Sequence, residues 1–357
     1  MSFPFVQPYF GLGNSLQTAQ ASGGAGGGSG IGGWVELART TLGSAQTSIT
    51  VSSLDNKRYY MVLCPITAHS AGGTDSNWRF NSDSGSNYSW RQSSDGNPDT
   101  TGTDKDQIFD NGSGGSRLQY SVSYIANLAG KEKLMMTDNV VNWVSGAGGD
   151  INRKNIVGKW DNTSDAINSI TNHFLDGGGI ANDELIVLGW DPTDDHTTNF
   201  WEELASVDLS GGAASSLDSG TILAKKYLWV QMLMEQTADS NYPLRFNSDS
   251  GSNYGYRYRT DGGTEFTHAS QTGMNLRSTT ANLPVFVNMF IINRTAQDKL
   301  IIAHDVKGFT AGHSYSPLRT EQVGKWANTS AQITSIQLHT GSGNLATNTI
   351  MKVWGAD

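Results

Sequence analysis

The chain has 357 residues, of which 42 are glycine and only 16% are charged, and its formal net charge is −9. An acidic chain without a basic run is not typical of nucleic-acid-binding proteins. The single cysteine, Cys64, excludes an intramolecular disulfide and a cysteine-rich metal site, and folding without disulfides fits synthesis in a reducing cytoplasm.

Residues 1–33 are predicted to form an extended N-terminal arm. An uncharged aromatic stretch is followed by a glycine tract over 23–33, which is typical of a flexible tether. The stretch lacks the apolar region of a secretory signal, and no apolar run in the chain is long enough to span a bilayer. The alternative to a docking arm is a disordered end. An arm would dock through four aromatic residues, which are Phe3, Phe5, Tyr9 and Phe10.

Two sequence motifs occur twice, each time 166 residues apart, and this predicts a duplicated domain. The sequence RFNSDSGSNY at 79–88 returns unchanged at 245–254. The segments 157–170 and 323–336, which both begin with Val-Gly-Lys-Trp, share ten of fourteen residues. One offset for both motifs means that the chain between them has the same net length in both halves. Solenoid repeats, in contrast, have periods of about 20–50 residues.

The extent of the correspondence sets the predicted domain boundaries. After the arm and tether over 1–33, we predict a first domain over 34–192, a polar linker over 193–199 and a second domain over 200–357. Domains of this size are large enough for a separate apolar core in each.

Short apolar segments rich in β-branched and aromatic residues predict strands in both domains. They lie at 59–64, 185–188, 227–233, 285–292 and 300–302. Over 118–124, apolar and polar residues alternate, which predicts one face in the core and one in solvent. No segment shows a capped helical stripe. The sequence therefore predicts an all-β protein with two tandem antiparallel β-sandwich domains, jelly-roll-like in connectivity.

The repeated RFNSDSGSNY motif is predicted to be a turn. Its Asn and Asp side chains can bond to the local backbone and its glycine can take positive φ, so we interpret it as a hairpin that fixes strand register. A polar contact surface and a calcium site are alternatives. Calcium would use oxygens of Asn81, Asp83 and Asn87, and in the second copy of Asn247, Asp249 and Asn253. Each copy has one carboxylate and lacks a bidentate glutamate, so we predict no metal and no cofactor.

Two further residue pairs correspond between the halves. Arg91 and Arg257 each follow an aromatic residue, and such an arginine can stack or reach a partner's carboxylate, so both are candidate interaction residues. Alternatively, their aliphatic stems cover the sheet edge. Trp160 and Trp326 are predicted to fill the cores, each indole N–H needing one acceptor.

Signals for catalysis are weak. Of seven histidines, only His173 and His339 correspond between the halves, and no repeated acid lies beside them. The chain has no Gly-x-Ser-x-Gly nucleophile elbow and no Walker loop. We therefore predict no catalytic residue and no enzymatic activity. A glycan-cleaving enzyme is a weaker alternative, and it would need two carboxylates that meet only in the fold.

The stretch at 78–89, WRFNSDSGSNYS, and its copy from Leu244 resemble a motif in virion proteins of tailed bacteriophages. The resemblance covers this region in each domain and does not include the N-terminal arm. It implies a structural role in a phage particle, with synthesis in the host cytoplasm and final location in the virion. The resemblance supplies no catalytic residue.

We therefore expect a non-enzymatic virion structural protein whose arm joins each copy to a neighbour, because symmetric particles reuse one surface many times. A capsid decoration or cement protein is favoured over a tail or fibre component, since the chain lacks a long repetitive shaft. The alternative is a tail- or fibre-associated carbohydrate-binding adhesin. Expected partners are other virion proteins and copies of the same chain, with host glycans in the alternative, and neither nucleic acid nor membrane.

Overall fold

A computed structural model describes seven stretches of the chain, which are 33–67, 76–110, 117–174, 177–194, 199–279, 281–308 and 310–357. They contain 24 β-strands and no helix, so this part of the chain has no helix that could cross a membrane. The four aromatic residues of the predicted arm, Phe3, Phe5, Tyr9 and Phe10, lie outside the described residues.

The strands fall into two sets of twelve along the chain. The first set is β1 (Val35–Thr41), β2 (Ser48–Val51), β3 (Tyr59–Ile66), β4 (Ser76–Phe80), β5 (Tyr88–Ser94), β6 (Thr100–Lys105), β7 (Ile108–Asp110), β8 (Gln119–Ala126), β9 (Lys133–Asn142), β10 (Ile151–Trp160), β11 (Ile170–Phe174) and β12 (Glu184–Trp190). The second set is β13 (Glu202–Asp208), β14 (Ser216–Asp218), β15 (Tyr227–Met234), β16 (Ser240–Phe246), β17 (Tyr254–Thr260), β18 (Glu265–Gln271), β19 (Met274–Thr279), β20 (Val285–Ile292), β21 (Lys299–Lys307), β22 (Leu318–Trp326), β23 (Ile336–His339) and β24 (Ile350–Ala356).

Each set forms one eight-stranded and one four-stranded antiparallel sheet. In the first set the orders are β1-β12-β3-β8-β9-β10-β5-β6 and β2-β11-β4-β7. The second set repeats both orders with every strand number raised by twelve. The prediction of an all-β protein with two tandem antiparallel β-sandwiches is thus confirmed, whereas the jelly-roll connectivity stays a prediction.

Three apolar clusters hold these sheets together. One lies inside the first sandwich and includes Trp78 and Trp160, and one lies inside the second and includes Trp326. A third cluster lies between the outer faces of the two eight-stranded sheets and joins residues such as Tyr120 to Trp229. Each large sheet therefore packs on one face against its own four-stranded sheet and on part of the other face against the second large sheet, and the layers run four, eight, eight and four strands.

This third cluster corrects the prediction for 118–124. Tyr120 and Val122 belong to the cluster between the domains, not to the interior of their own sandwich. The alternating polar residues Ser121 and Ser123 are also buried, with Ser123 0% exposed and its hydroxyl 2.8 Å from that of Thr137. The alternation correctly predicts a strand, but neither face of this strand lies in solvent, because the second domain covers its apolar face.

Equivalent residues of the two domains meet across this contact. The rings of Tyr124 and Phe290 have centroids 6.5 Å apart, and the Asp138 carboxylate lies 3.2 Å from Nε2 of His304. In both pairs the partners are separated by the repeat offset of 166 residues. These two contacts join equivalent positions, but the rest of the contact is unequal, because Arg153 is 1% exposed and its equivalent Arg319 is 62% exposed. The two domains therefore contribute different parts of the same large sheet to the contact.

Candidate functional site

The first repeated motif forms a tight turn at a corner between two sheets. Asn81 and Ser82 have φ of 53° and 57°, and the N–H of Asp83 donates to the carbonyl of Phe80 at 2.9 Å, as in a type I′ turn. The turn connects β4 of the four-stranded sheet to β5 of the eight-stranded sheet. The hairpin prediction is therefore wrong, because the residues fix the turn type but not whether the flanking strands pair.

The carboxylate of Asp83 organises this corner. Oδ1 accepts the N–H of Gly85 at 2.8 Å, and Oδ2 accepts hydrogen bonds from Asn87 Nδ2 at 2.9 Å and from the Trp160 indole at 2.7 Å. Burial alone would raise the pKa of Asp83, but these donors, led by Trp160, lower it. Trp160 is 1% exposed, so the core-filling prediction is confirmed and its acceptor is identified.

The side chains of the calcium alternative are therefore used within the protein. Besides the donors on Asp83, Asn81 Oδ1 accepts the N–H groups of Asn168 and Ser169 at 2.8 and 3.2 Å. The second copy, with Asn247, Asp249 and Asn253, has the same network. Within the described ranges, no group of three or more His, Cys, Asp or Glu could hold a metal ion. These hydrogen bonds give the motif a structural role.

The corresponding histidines lie on the four-stranded sheets. His173 is in β11 and His339 in β23. Burial, and then the charge of a nearby arginine, lowers the pKa of each imidazole. Both side chains are therefore neutral at pH 7, which is the state expected of histidines packed into a sheet.

The two candidate interaction arginines have different surroundings. The side chain of Arg257 is 15% exposed, and it donates to the carbonyl of Ile151 at 2.6 Å and approaches the Asp95 carboxylate at 3.5 Å. Both partners belong to the first domain, so Arg257 acts within the chain. Arg91 is 59% exposed and pairs with Asp99 at 3.3 Å. Of the two, Arg91 is the one that faces solvent.

Buried charges surround the cluster between the domains. Arg153, 1% exposed, lies 3.2 Å from the Glu265 carboxylate and 3.1 Å from that of Glu321, both in the second domain. Its pKa is raised because the two glutamates outweigh the effect of burial. A buried charge that lost such partners would be left uncompensated, at a cost of about 3–5 kcal/mol.

Glu184 makes a matching contact from the first domain. Its carboxylate accepts hydrogen bonds from the Tyr227 hydroxyl at 2.7 Å, Arg294 Nη2 at 2.6 Å and Lys226 Nζ at 3.1 Å. Burial raises its pKa, but Tyr227, Arg294 and Lys226 together lower it to about 2. Sequence reasoning missed both Arg153 and Glu184, because no repeated motif marks them.

An aromatic cleft lies at the edge of the first eight-stranded sheet that is formed by β5 and β6. It has a volume of about 190 Å³ and is lined by Trp90, Lys105, Asp106, Gln107 and Phe109. The rings of Trp90 and Phe109 have centroids 5.5 Å apart. An aromatic face beside charged and amide groups is a suitable surface for stacking and hydrogen bonding to a polar ring.

At the equivalent edge of the second domain, four rings form a row. Ring centroids are 4.8 Å apart for Tyr256 and His268, 5.8 Å for His268 and Tyr258, and 5.3 Å for Tyr258 and Phe266. Phe266 is 48% exposed, so the row ends at the surface. Both domains therefore carry aromatic groups at this edge.

No protein-family model matches the chain, and no curated protein matches it. One solved structure, described as "Unveiling the Mechanism Behind the in-meso Crystallization of Membrane Proteins", is 11% identical, with a TM-score of 0.14 over 76% of this chain and 85% of that chain. An acyl-CoA hydrolase from Agrobacterium tumefaciens is 7% identical, with a TM-score of 0.12 over 63% of this chain and 76% of that chain. Likenesses this weak carry no argument about fold or function.

Proposed function

We propose that the protein is a structural component of a bacteriophage particle, namely a capsid decoration or cement protein without enzymatic activity. The observation that carries the proposal is the packing of two sandwiches of the same topology into one block through the outer faces of their large sheets. A block of this kind presents related surfaces twice in a fixed geometry, which suits binding to the repeated surface of a symmetric shell. The resemblance of the 78–89 motif to phage virion proteins points the same way.

The contact between the domains supports a rigid block rather than two loosely linked domains. Its centre is apolar and aromatic, and its margin carries buried ion pairs such as those of Arg153 and Glu184. Contacts with an apolar centre and a satisfied polar margin are typical of stable interfaces. In this proposal the N-terminal arm provides the flexible contact that joins a copy to its neighbours in the virion.

Labelling of intact particles tests the proposal. An antibody against the second domain is applied to purified phage particles whose genome encodes this chain, and the particles are viewed by electron microscopy. We expect labels over the whole capsid and a copy number that is a multiple of the shell symmetry. Absence from the particles, or a few copies confined to the tail, would contradict the decoration assignment.

The second candidate is a carbohydrate-binding adhesin, and the aromatic cleft at Trp90 favours it. A glycan array read with wild-type protein and with Trp90→Ala tests it. Tyr315→Ala is a matched control, since Tyr315 is an aromatic residue that is 60% exposed and does not line the cleft. Binding that is lost in Trp90→Ala and kept in Tyr315→Ala supports the adhesin. An array without signal for the wild type removes it.

A further inference from the structure

The contact between the domains covers opposite ends of two equivalent strands. On the outer face of β21, Leu300 and Ile302 are 0% and 2% exposed, whereas Val306 is 44% exposed. On β9 the equivalents of the first two, Leu134 and Met136, are 54% and 52% exposed. The same sequence positions are thus buried under a neighbouring domain in one half and open in the other.

The open residues form one patch on the first eight-stranded sheet. Val157 of β10 stands opposite Met136 in the strand register and is 48% exposed, while its equivalent Val323 is 1% exposed. We call Leu134, Met136 and Val157 the open patch. Arg91, the exposed candidate interaction residue, is the next register partner of Val157. Contiguous exposed apolar side chains mark a contact surface, and here the duplicate of the surface is itself a contact.

We propose that the open patch binds the N-terminal aromatic segment, residues 3–10, of the same chain. The segment is apolar and aromatic and carries no charge. The duplicate of the patch is covered by side chains of this type, since Tyr120 and Val140 share its cluster. A methionine in the patch adapts readily to aromatic rings, and Arg91 at its border can stack on one.

The start of the described chain places the segment within reach. Along one transverse row of the sheet, Val35 pairs with Gly189, and the register then runs through Tyr60 and Ile125 to Met135, which lies between the two β9 residues of the patch. Four strand spacings separate β1 from β9, a distance of about 19 Å. A glycine-rich tether over residues 11–33 has a mean span of about 26 Å. The tether therefore covers the distance without being stretched.

Docking within one chain is also favoured by the high effective concentration of a tethered segment. A short flexible tether holds the segment near the patch at an effective concentration in the millimolar range. In the proposed virion role, the N-terminal segment of one copy would bind the open patch of a neighbouring copy instead. Such an exchange of an identical element between copies costs little. The docking itself does not depend on that role, and the particle-labelling result leaves it untouched.

Disulfide trapping tests the docking directly. The full-length double variant Phe5→Cys with Met136→Cys is oxidised at low protein concentration, and the cross-link is located by mass spectrometry. The control pairs Phe5→Cys with Leu223→Cys, because Leu223 is an apolar residue that is 64% exposed in the second domain. We expect an intramolecular cross-link that forms at least about tenfold faster than in the control. Equal rates, or cross-links only between chains, would overturn the proposal.

Oxidation of Met136 by dilute peroxide provides a second readout. Replacing Phe3, Phe5, Tyr9 and Phe10 by serine leaves all described strands unchanged and removes the proposed cover. We expect Met136 to oxidise several-fold faster in this variant than in the wild type, with the same circular dichroism spectrum. An unchanged oxidation rate would show that the segment does not shield the patch.

Discussion

The indole N–H of Trp160 donates a hydrogen bond to the carboxylate of Asp83, 2.7 Å away, and this bond joins the two repeated motifs of the sequence. Trp326 and Asp249 make the same bond at 2.7 Å in the second domain. The partners are 77 residues apart in the chain, yet they form one unit at the corner between the sheets. Because each motif completes the other, a duplicated domain keeps both.

Asp83→Ala is expected to lower the free energy of unfolding by about 1–3 kcal/mol, because the buried indole N–H loses its acceptor. Asp249→Ala should have a similar effect in the second domain. Urea unfolding followed by tryptophan fluorescence measures both. Asp99→Ala is the control, since Asp99 pairs with Arg91 at the surface and its loss should change stability by no more than about 0.5 kcal/mol. A corner variant that matches this control contradicts the structural assignment.

Gly158→Ala is expected to destabilise the first domain by about 1–3 kcal/mol through overpacking. A Cβ atom at Gly158 would lie 2.6 Å from Ile108 Cδ1, and at the equivalent Gly324 it would lie 2.5 Å from Met274 Sδ. The glycine of each Val-Gly-Lys-Trp copy thus leaves room for the facing sheet. Gly43→Ala is the matched control, because nothing lies within 4 Å of its Cβ position. Equal midpoints of thermal unfolding for the two variants would refute this explanation.

Stability should fall in acid through Glu184. Its pKa is about 2 in the folded protein against an ordinary value of 4.5, so its contribution is present above pH 4.5 and is lost as the pH falls toward 2. Glu184→Gln should therefore be less stable than wild type at pH 7, by about 1–3 kcal/mol, and nearly equal to it at pH 2. Unfolding curves across this range, with Glu132→Gln as an exposed control, measure the difference. A difference independent of pH would exclude the assignment.

The His304 contact should act in the opposite direction. Burial lowers the pKa of His304, but the charge and hydrogen bond of Asp138 outweigh it and raise the pKa. The contribution is therefore complete below the ordinary pKa of about 6.5 and is lost as the pH rises through the folded value. Both side chains are partly exposed, so His304→Gln should cost no more than about 1 kcal/mol at pH 5.5 and nothing at pH 9. A larger cost at pH 9 than at pH 5.5 would reverse the assignment.

Local sequence patterns predicted much of the fold. Apolar runs with β-branched residues identified strands such as β3 and β20, because a strand's character depends on its own residues. The constant offset of the repeats predicted two like domains, and the chemistry of an indole predicted that Trp160 needs a buried acceptor. Each of these inferences uses information that lies within a few residues or within the repeat itself.

Features that depend on packing could not be predicted. The type I′ signal at Asn81 and Ser82 is correct, but the partner sheets of β4 and β5 are set by the whole sandwich. Arg153 and its equivalent Arg319 are the same residue type, yet their side chains are 1% and 62% exposed. Identical positions acquire different surroundings when one domain covers the other unevenly, and no single-strand pattern records this.

The contact of Asp138 with His304 shows what a covalent duplication makes possible. If two separate, identical subunits packed with these equivalent positions together, two aspartates or two histidines would oppose each other. A single chain frees the two positions to differ, so an acid can face a base at this contact. In the fused chain, two like residues that would repel each other are thereby replaced by Asp138 and His304, whose attraction depends on pH.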